Sequence, residues 1–417
     1  MDRKVSVCLI KTDNLNHMEK VINALEENAE FIEEVIYTGS AEDLPEVDLN
    51  VKTLGIESEN KAFLRNEALK EASQDWVLFC STATELEDST LEEFLEVLED
   101  EYPQANLVYP NTVKITSDNQ EIVNNYDNWY DKKRVILQGL TVEKHLPEWG
   151  VLIKKELFQD KLFNEEYKDY EFYEFFLRNF EAIKPALSEL SFVNVYETTS
   201  FIDTSFGSKI IRDQIVNIYP LTELFPHLNW ENENLAQSTA YTMIGDALAE
   251  YHDFYNASDY YRKALISFHN QHTLKNLIKA YIEMGLFDQA KQIVSKEQGL
   301  SPEDIADFSR FINKIESLIR EIEKKVEEGL IDEVLYSLND VIQVYQGAPI
   351  YNIAGVLHFY KGDLVNAYRF FYKAVIINPL EENILRNLSD VAKQIGKEEE
   401  VISLINRILS TQETKVS

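Results

Sequence analysis

The residues placed where chemistry commonly happens are small and polar: Ser81, Thr82, Ala83 and Thr84, directly after the continuous apolar run 76–80. A run of that length suits a strand buried on both faces, as in a parallel sheet. Ligands of open α/β sheets bind at the carboxyl ends of such strands. The loop offers hydroxyls and no acid until Glu85, so it can hydrogen-bond a ligand but is poorly equipped to hold a metal. A second candidate stretch, 124–133, is dense in Asn, Tyr and Asp and carries Trp129. Such a stretch either binds sugars by stacking and hydrogen bonds or simply pins its own loop. The seven histidines include no pair at metal-binding spacing, and His252, His269 and His272 lie in the C-terminal region. Neither a Ser/His/Asp or Cys/His arrangement nor a phosphate-cradling Gly-rich loop stands out.

The elements that must position these residues alternate in type. Residues 4–10 (KVSVCLI) read as a buried strand, 17–28 as a helix through Met18, Val21, Ile22 and Leu25, and 31–37 as a second strand ended by Thr38-Gly39-Ser40. A short third strand is expected over 48–53. Leu64, Ala68, Leu69 and Ala72 then make one apolar helical stripe, and 76–80 is the fourth strand. Alternation within about ninety residues argues for βαβ units on a parallel sheet. Right-handed crossovers place the loops 11–14, 37–40 and 81–85 on one edge. Beyond them come an acidic amphipathic helix over 86–100, strands at 106–109 and 113–115 around a Pro110-Asn111 turn, a polar loop over 117–125, and a strand-like segment at 192–196.

In order and spacing, SVCLIKTDN, VIYTGS and AFLRNEALKEASQDWVLF resemble the start of a family-2-type glycosyltransferase with the GT-A fold. The match covers about the first ninety residues, with weaker landmarks to about residue 180: WGVLIKKELF at 149–158 and Phe163-Asn164-Glu165. The resemblance implies an α/β domain over 1–205 that binds a UDP-type nucleotide sugar. It places Thr12, Asp13, Asn14, Tyr37, Thr38, Gly39 and Ser40 at the nucleoside and Arg65 and Asn66 at the diphosphate. Ser81 and Ala83 stand where the family presents its metal-binding acids. Arg65 suits phosphate oxygens through its planar fork of donors, or it is an ordinary helix-surface residue pairing with Glu59 or Glu67.

The departures from the family fall on the chemistry. The uracil-contacting acid is Tyr37 here. The Asp-x-Asp aligns with Ser81-Thr82-Ala83, which lacks the carboxylates a divalent ion prefers; Mn or Mg is therefore disfavoured, and no metal ligand is assigned. Aligning on Leu177-Arg178 places the family's Glu-Asp on Glu171-Phe172, so the catalytic Asp is Phe172. Asp169 and Glu171 are the nearest acids. Either serves as base if it faces the pocket, or both belong to a solvated acidic helix start. Without metal acids, leaving-group charge falls to Arg65 or Lys154.

The C-terminal half repeats. Tyr241, Ile244, Gly245, Leu248, Ala257, Tyr261 and Ala264 form one unit, and Tyr351, Ala354, Gly355, His358, Ala367, Phe371 and Ala374 another at the same internal offsets. The second-helix marks Ala257, Ala290, Val334, Ala367 and Val401 keep a 33–34-residue period except for one step of 44. This pattern resembles tetratricopeptide (TPR) arrays, which are scaffolds for polypeptide partners. The expected division is 206–237 as linker helix and loop, 238–412 as TPR solenoid and 413–417 as a frayed tail.

Composition bounds the partners. A net charge of -33 opposes nucleic acid and anionic membrane surfaces, and no apolar run is long enough to span a bilayer. Two cysteines, Cys8 and Cys80, each sit in an apolar strand and suit a reducing cytoplasm. The pairing of domains resembles bacterial protein glycosyltransferases, in which the repeats hold the polypeptide and the first domain moves the sugar. Loss of all three family acids equally fits a catalytically inactive relative serving as a scaffold. A plain TPR adaptor unrelated to sugars is a third expectation.

Overall fold

The computed structural model of the chain describes residues 4–126, 140, 146–159, 161–198, 202–296 and 299–409. Trp129 with most of the 124–133 stretch, and residues 413–417, lie outside them. The chain forms two compact units that divide between Ile202 and Asp203.

Among the described residues the first unit holds a nine-stranded mixed sheet. Strands β1 (Val5–Ile10), β2 (Ile32–Tyr37), β3 (Val51–Thr53) and β4 (Trp76–Ser81) are parallel, in the order β3-β2-β1-β4. Every residue of β1 and β4 is buried, as their unbroken apolar runs require. The sheet then turns antiparallel: β8 (Val151–Lys154) pairs with β4 on one side and β6 (Leu107–Ile115) on the other. Strand β9 (Pro185–Tyr196) joins β6 in parallel, β5 (Thr84–Leu86) closes that edge, and β7 (Glu121–Asn124) pairs with β6. Val5, Val7 and Leu9 share one core with Val21, Ile22 and Leu25 of helix α1 (Met18–Glu27) and with Leu91 and Phe94 of α3 (Thr90–Glu96).

Two local expectations are corrected. Pro110-Asn111 does not turn the chain but lies inside β6, where the register against β9 shifts; a proline in a strand is tolerated at such an irregularity. Residues 84–86 form a strand, where the sequence predicts loop up to Glu85 and helix from Leu86, because Thr84 to Leu86 pair with Val195 to Val193. Helix α2 (Lys61–Glu71) is capped by the Asn60 side chain, which accepts from the Phe63 N–H at 3.3 Å. Its buried side is not only the apolar stripe, since Arg65 and Asn66 are buried too.

The second unit holds, among the described residues, five antiparallel helix pairs: α6/α7 (Glu233–Glu250, Phe254–Ser267), α8/α9 (Gln271–Glu283, Phe287–Lys296), α10/α11 (Pro302–Glu327, Ile331–Val344), α12/α13 (Ala348–Tyr360, Leu364–Ile377) and α14/α15 (Glu382–Ile395, Glu398–Leu409). Four turns within pairs use a left-handed glycine, Gly285, Gly329, Gly362 and Gly396, and the first uses His252 at φ 61°. The step of 44 arises because α10 runs for 26 residues, with Ile312, Ile315, Ile319 and Ile322 as its buried face. Gly245 and Gly355 sit at the helix crossings. A Cβ on either would lie 2.5 Å from the ring of Tyr261 or Phe371, respectively. Gly245→Ala and Gly355→Ala should each cost about 1–3 kcal/mol by overpacking, read as a lower urea midpoint for the second unit.

Residues 203–232, ahead of the first pair, belong to this second unit. Helix α5 (Ser205–Ile210) runs on in a wider turn to Val216, and Arg212 there is almost fully buried. The Arg212 guanidinium donates to the main-chain oxygens of Arg407 (2.8 Å) and Ile408 (3.3 Å) and lies 3.6 Å from Asp253. Asn256 of the first pair donates to Ile408 O at 3.2 Å. The array therefore closes on itself, first pair against last helix.

Candidate functional site

The β3-β2-β1-β4 order brings the three expected loops together at the carboxyl edge. Thr82 N donates to Ile10 O at 3.0 Å, and Thr38 N to Leu9 O at 3.1 Å. Side chains then tie the loops to one another. The hydroxyls of Thr12 and Thr82 are 2.8 Å apart, Thr12 N donates to Thr82 Oγ1 (3.1 Å), and Lys11 N donates to Thr38 Oγ1 (2.8 Å). Asn14 donates to Glu197 O (3.0 Å). Ser81 Oγ lies 2.7 Å from Thr84 Oγ1 and accepts from Ala83 N at 3.2 Å. Ser81, Thr82 and Ala83 are all buried.

This donor set does not fit a divalent metal. The two hydroxyls are engaged within the loop system, and Glu85 bonds the Tyr196 hydroxyl. Among the described residues no three His, Cys, Asp or Glu side chains are grouped to hold an ion.

The residues expected at a nucleoside gather around an acid that the sequence pattern did not single out. Asp43 accepts from the Tyr37 hydroxyl (3.0 Å), Ser40 N (3.1 Å) and Lys11 Nζ (2.9 Å). The Lys11 bond, opposed by partial desolvation, holds the Asp43 carboxyl below its ordinary range. Burial, with Asp43 beside it, raises the Tyr37 phenol. Tyr37, Thr38 and Gly39 are buried, and a Cβ on Gly39 would run into the Tyr37 ring. Thr12, Asn14 and Ser40 keep partial exposure, and Asp13 is exposed.

Arg65 is fully buried, and its partners are neither Glu59 nor Glu67. Its Nη1 donates to Glu171 Oε1 at 2.8 Å, and its Nη2 to Glu148 Oε1 at 3.0 Å and to Glu148 O at 3.3 Å. Its guanidinium lies 4.1 Å from the Trp149 ring centre, with Phe163 and Phe172 at 5.5 and 5.6 Å. One turn earlier, Lys61 pairs with Asp169 at 3.1 Å and stands 3.8 Å from Glu148. Burial opposes its charge, but Glu148, Asp169 and Glu171 together hold the ammonium above its ordinary range. Burial pushes Glu171 up to about 8, with Arg65 pulling the other way and Glu148 adding to the rise.

Asn66 is also structural. Its side chain accepts from Phe163 N and donates to Phe163 O, each at 2.9 Å, and donates to Glu165 at 3.2 Å. Of the expected site residues, Arg65, Asp169 and Glu171 thus meet in one cluster. Lys61 and Glu148 complete it, one four residues before Arg65 and the other directly before Trp149. The i, i+4 pair of basic residues on a helix was the available signal for Lys61.

No family model matches the chain. A curated TPR repeat-containing protein, MJ1428 of Methanocaldococcus jannaschii, is 24% identical over 179 residues, 42% of this chain and 31% of that protein. The chain therefore spans about a third of that relative's length. Similar solved structures include S. aureus TarS 1-349 in complex with UDP (14% identical, TM-score 0.39, 67% of this chain and 91% of that one). TarS 1-349 in complex with UDP-GlcNAc is 13% identical at TM-score 0.40, over 78% and 92% of the two chains. The first unit of this chain is a mixed sheet with helices, and a region of repeated helix pairs follows it. Among the described residues no helix is long and apolar enough to cross a membrane.

Proposed function

We propose that the first unit is a glycosyltransferase-like domain that no longer transfers sugar, and that the protein works as a cytoplasmic scaffold or partner subunit, holding a polypeptide through its helical repeats. The observation that carries this is Arg65. The side chain that would meet a diphosphate has no exposed surface and is held by two carboxylates. The closed hydroxyl contacts at Ser81 and Thr82 and the burial of Tyr37 support the same reading. Acceptor deprotonation has no ready agent either, because Asp169 is paired with Lys61 and Glu171 with Arg65.

Thermal unfolding with 1 mM UDP or UDP-GlcNAc, with and without Mn, tests it. A ligand at a hundred times its Kd stabilises by about 2.7 kcal/mol, which for a unit this size raises the midpoint by roughly 5–10 °C. The expected shift is below about 1 °C, the remainder of such a binding effect being absent. A shift of several degrees would instead favour an active transferase of protein glycosylation. The partial exposure of Thr12, Asn14 and Ser40 is the feature on which that second reading rests.

A further inference from the structure

The Arg65 cluster contains two cations, Lys61 and Arg65, and three carboxyl groups, Glu148, Asp169 and Glu171. Arg65 and Glu171 have no exposed surface. Two of their atoms, Arg65 Nε and Glu171 Oε2, are buried without a hydrogen-bond partner. Fully ionised, the cluster would enclose an uncompensated negative charge, with one carboxylate oxygen facing no donor. Burying an unpaired ionised oxygen is far costlier than burying a neutral one. Among the described residues, Arg65 and Lys61 are the cations that act on Glu171. Within its own helix α4 (Glu171–Arg178), Glu174 is taken by Arg178 at 2.8 Å. On the turn before α4, Glu165 accepts from Asn66. In β1, Cys8, near enough to feel Arg65, is held neutral by burial.

We propose that this cluster is a proton-operated fastener: folded, it holds two cations, three carboxyl groups and one proton, and loss of that proton loosens α2 from residues 146–150 and α4. The proton sits on Glu171, the carboxyl with the least water and the unpaired oxygen. Glu148 and Asp169 keep partial access to solvent and are paired with Arg65 and Lys61. The inference does not depend on whether the unit binds a nucleotide.

The sign follows from linkage. The folded state keeps the Glu171 proton up to about pH 8, whereas the unfolded chain has released it above its ordinary value near 4.5. Stability is therefore greatest at the acid end of that window and falls as pH rises, and the opening equilibrium grows by up to about tenfold per pH unit until the folded carboxyl ionises.

Hydrogen exchange of the full chain, corrected for intrinsic rates and followed in peptides covering 61–71, 146–150 and 163–178, tests this between pH 6 and 9. Wild type should lose protection there by at least about tenfold, and Glu171→Gln should remove the step. Glu148→Gln, which removes the repelling carboxylate without emptying the core, should move the step to lower pH and keeps the test valid if Glu171→Gln fails to fold. Protection that is flat across the range in wild type, or a step unmoved by Glu148→Gln, overturns the proposal.

Discussion

Replacing Arg65 by alanine is expected to destabilise the first unit by about 3–5 kcal/mol, the range for removing one partner of a buried ion pair. The physical reason lies in what is left behind. Glu171 is fully buried and loses its ion-pair partner at 2.8 Å, Glu148 loses two donated hydrogen bonds, and the Trp149 ring loses the guanidinium it packs on. A loss of that size is a large part of the margin by which a domain stays folded. It is measured by urea-dependent hydrogen exchange of peptides from α2, β4 and α4, so that the helical unit does not obscure it. Arg65→Met with Glu171→Met should recover much of the loss, since a packed apolar pair replaces a buried ionic one at little net cost. A change below about 0.5 kcal/mol in the single variant, typical of surface sites, would mean that Arg65 is spare and free to meet a ligand.

Arg407→Ala should be comparably damaging to the second unit, again about 3–5 kcal/mol. Its guanidinium donates to Asp203 at 2.9 Å, to the Tyr372 hydroxyl at 3.0 Å and to Ser205 Oγ at 2.8 Å, and lies 3.6 Å from the Phe206 ring centre. Asp203 and Tyr372 are themselves buried, so truncation strands a carboxylate inside the unit. Because Arg407 joins the last helix to the entry segment, the damage should reach residues 205–216 and 254–267 in hydrogen exchange. Faster exchange confined to 398–409 would mean ordinary fraying of a terminal helix, and the closure would carry little of the stability.

Much of this architecture is readable in the chain because it rests on local periodicity. The apolar runs of β1 and β4 admit little besides buried strands, and the recurrence from Ala257 to Val401 reappears as helix pairs turning at His252, Gly285, Gly329, Gly362 and Gly396. The absence of acids at 81–83 is equally a property of sequence, since no folding can supply carboxylates the segment lacks. The inward pairing of Arg65, Asn66 and Tyr37 is not legible in the same way. A helical Arg-Asn pair reads the same whether it faces phosphate or a neighbouring loop.

What the sequence determined alone is therefore the frame: a sheet domain, a repeat array, and a loop at the sheet edge without acids. Only the tertiary structure decided what fills the frame. Glu148 and Glu171 reach Arg65 from 83 and 106 residues away, Asp43 gathers Tyr37, Ser40 and Lys11, and Asp203 finds Arg407 across 204 residues. Backbone pattern follows from spacing along the chain, whereas a buried charge takes whichever opposite charge the fold brings within reach, and no local spacing encodes that choice.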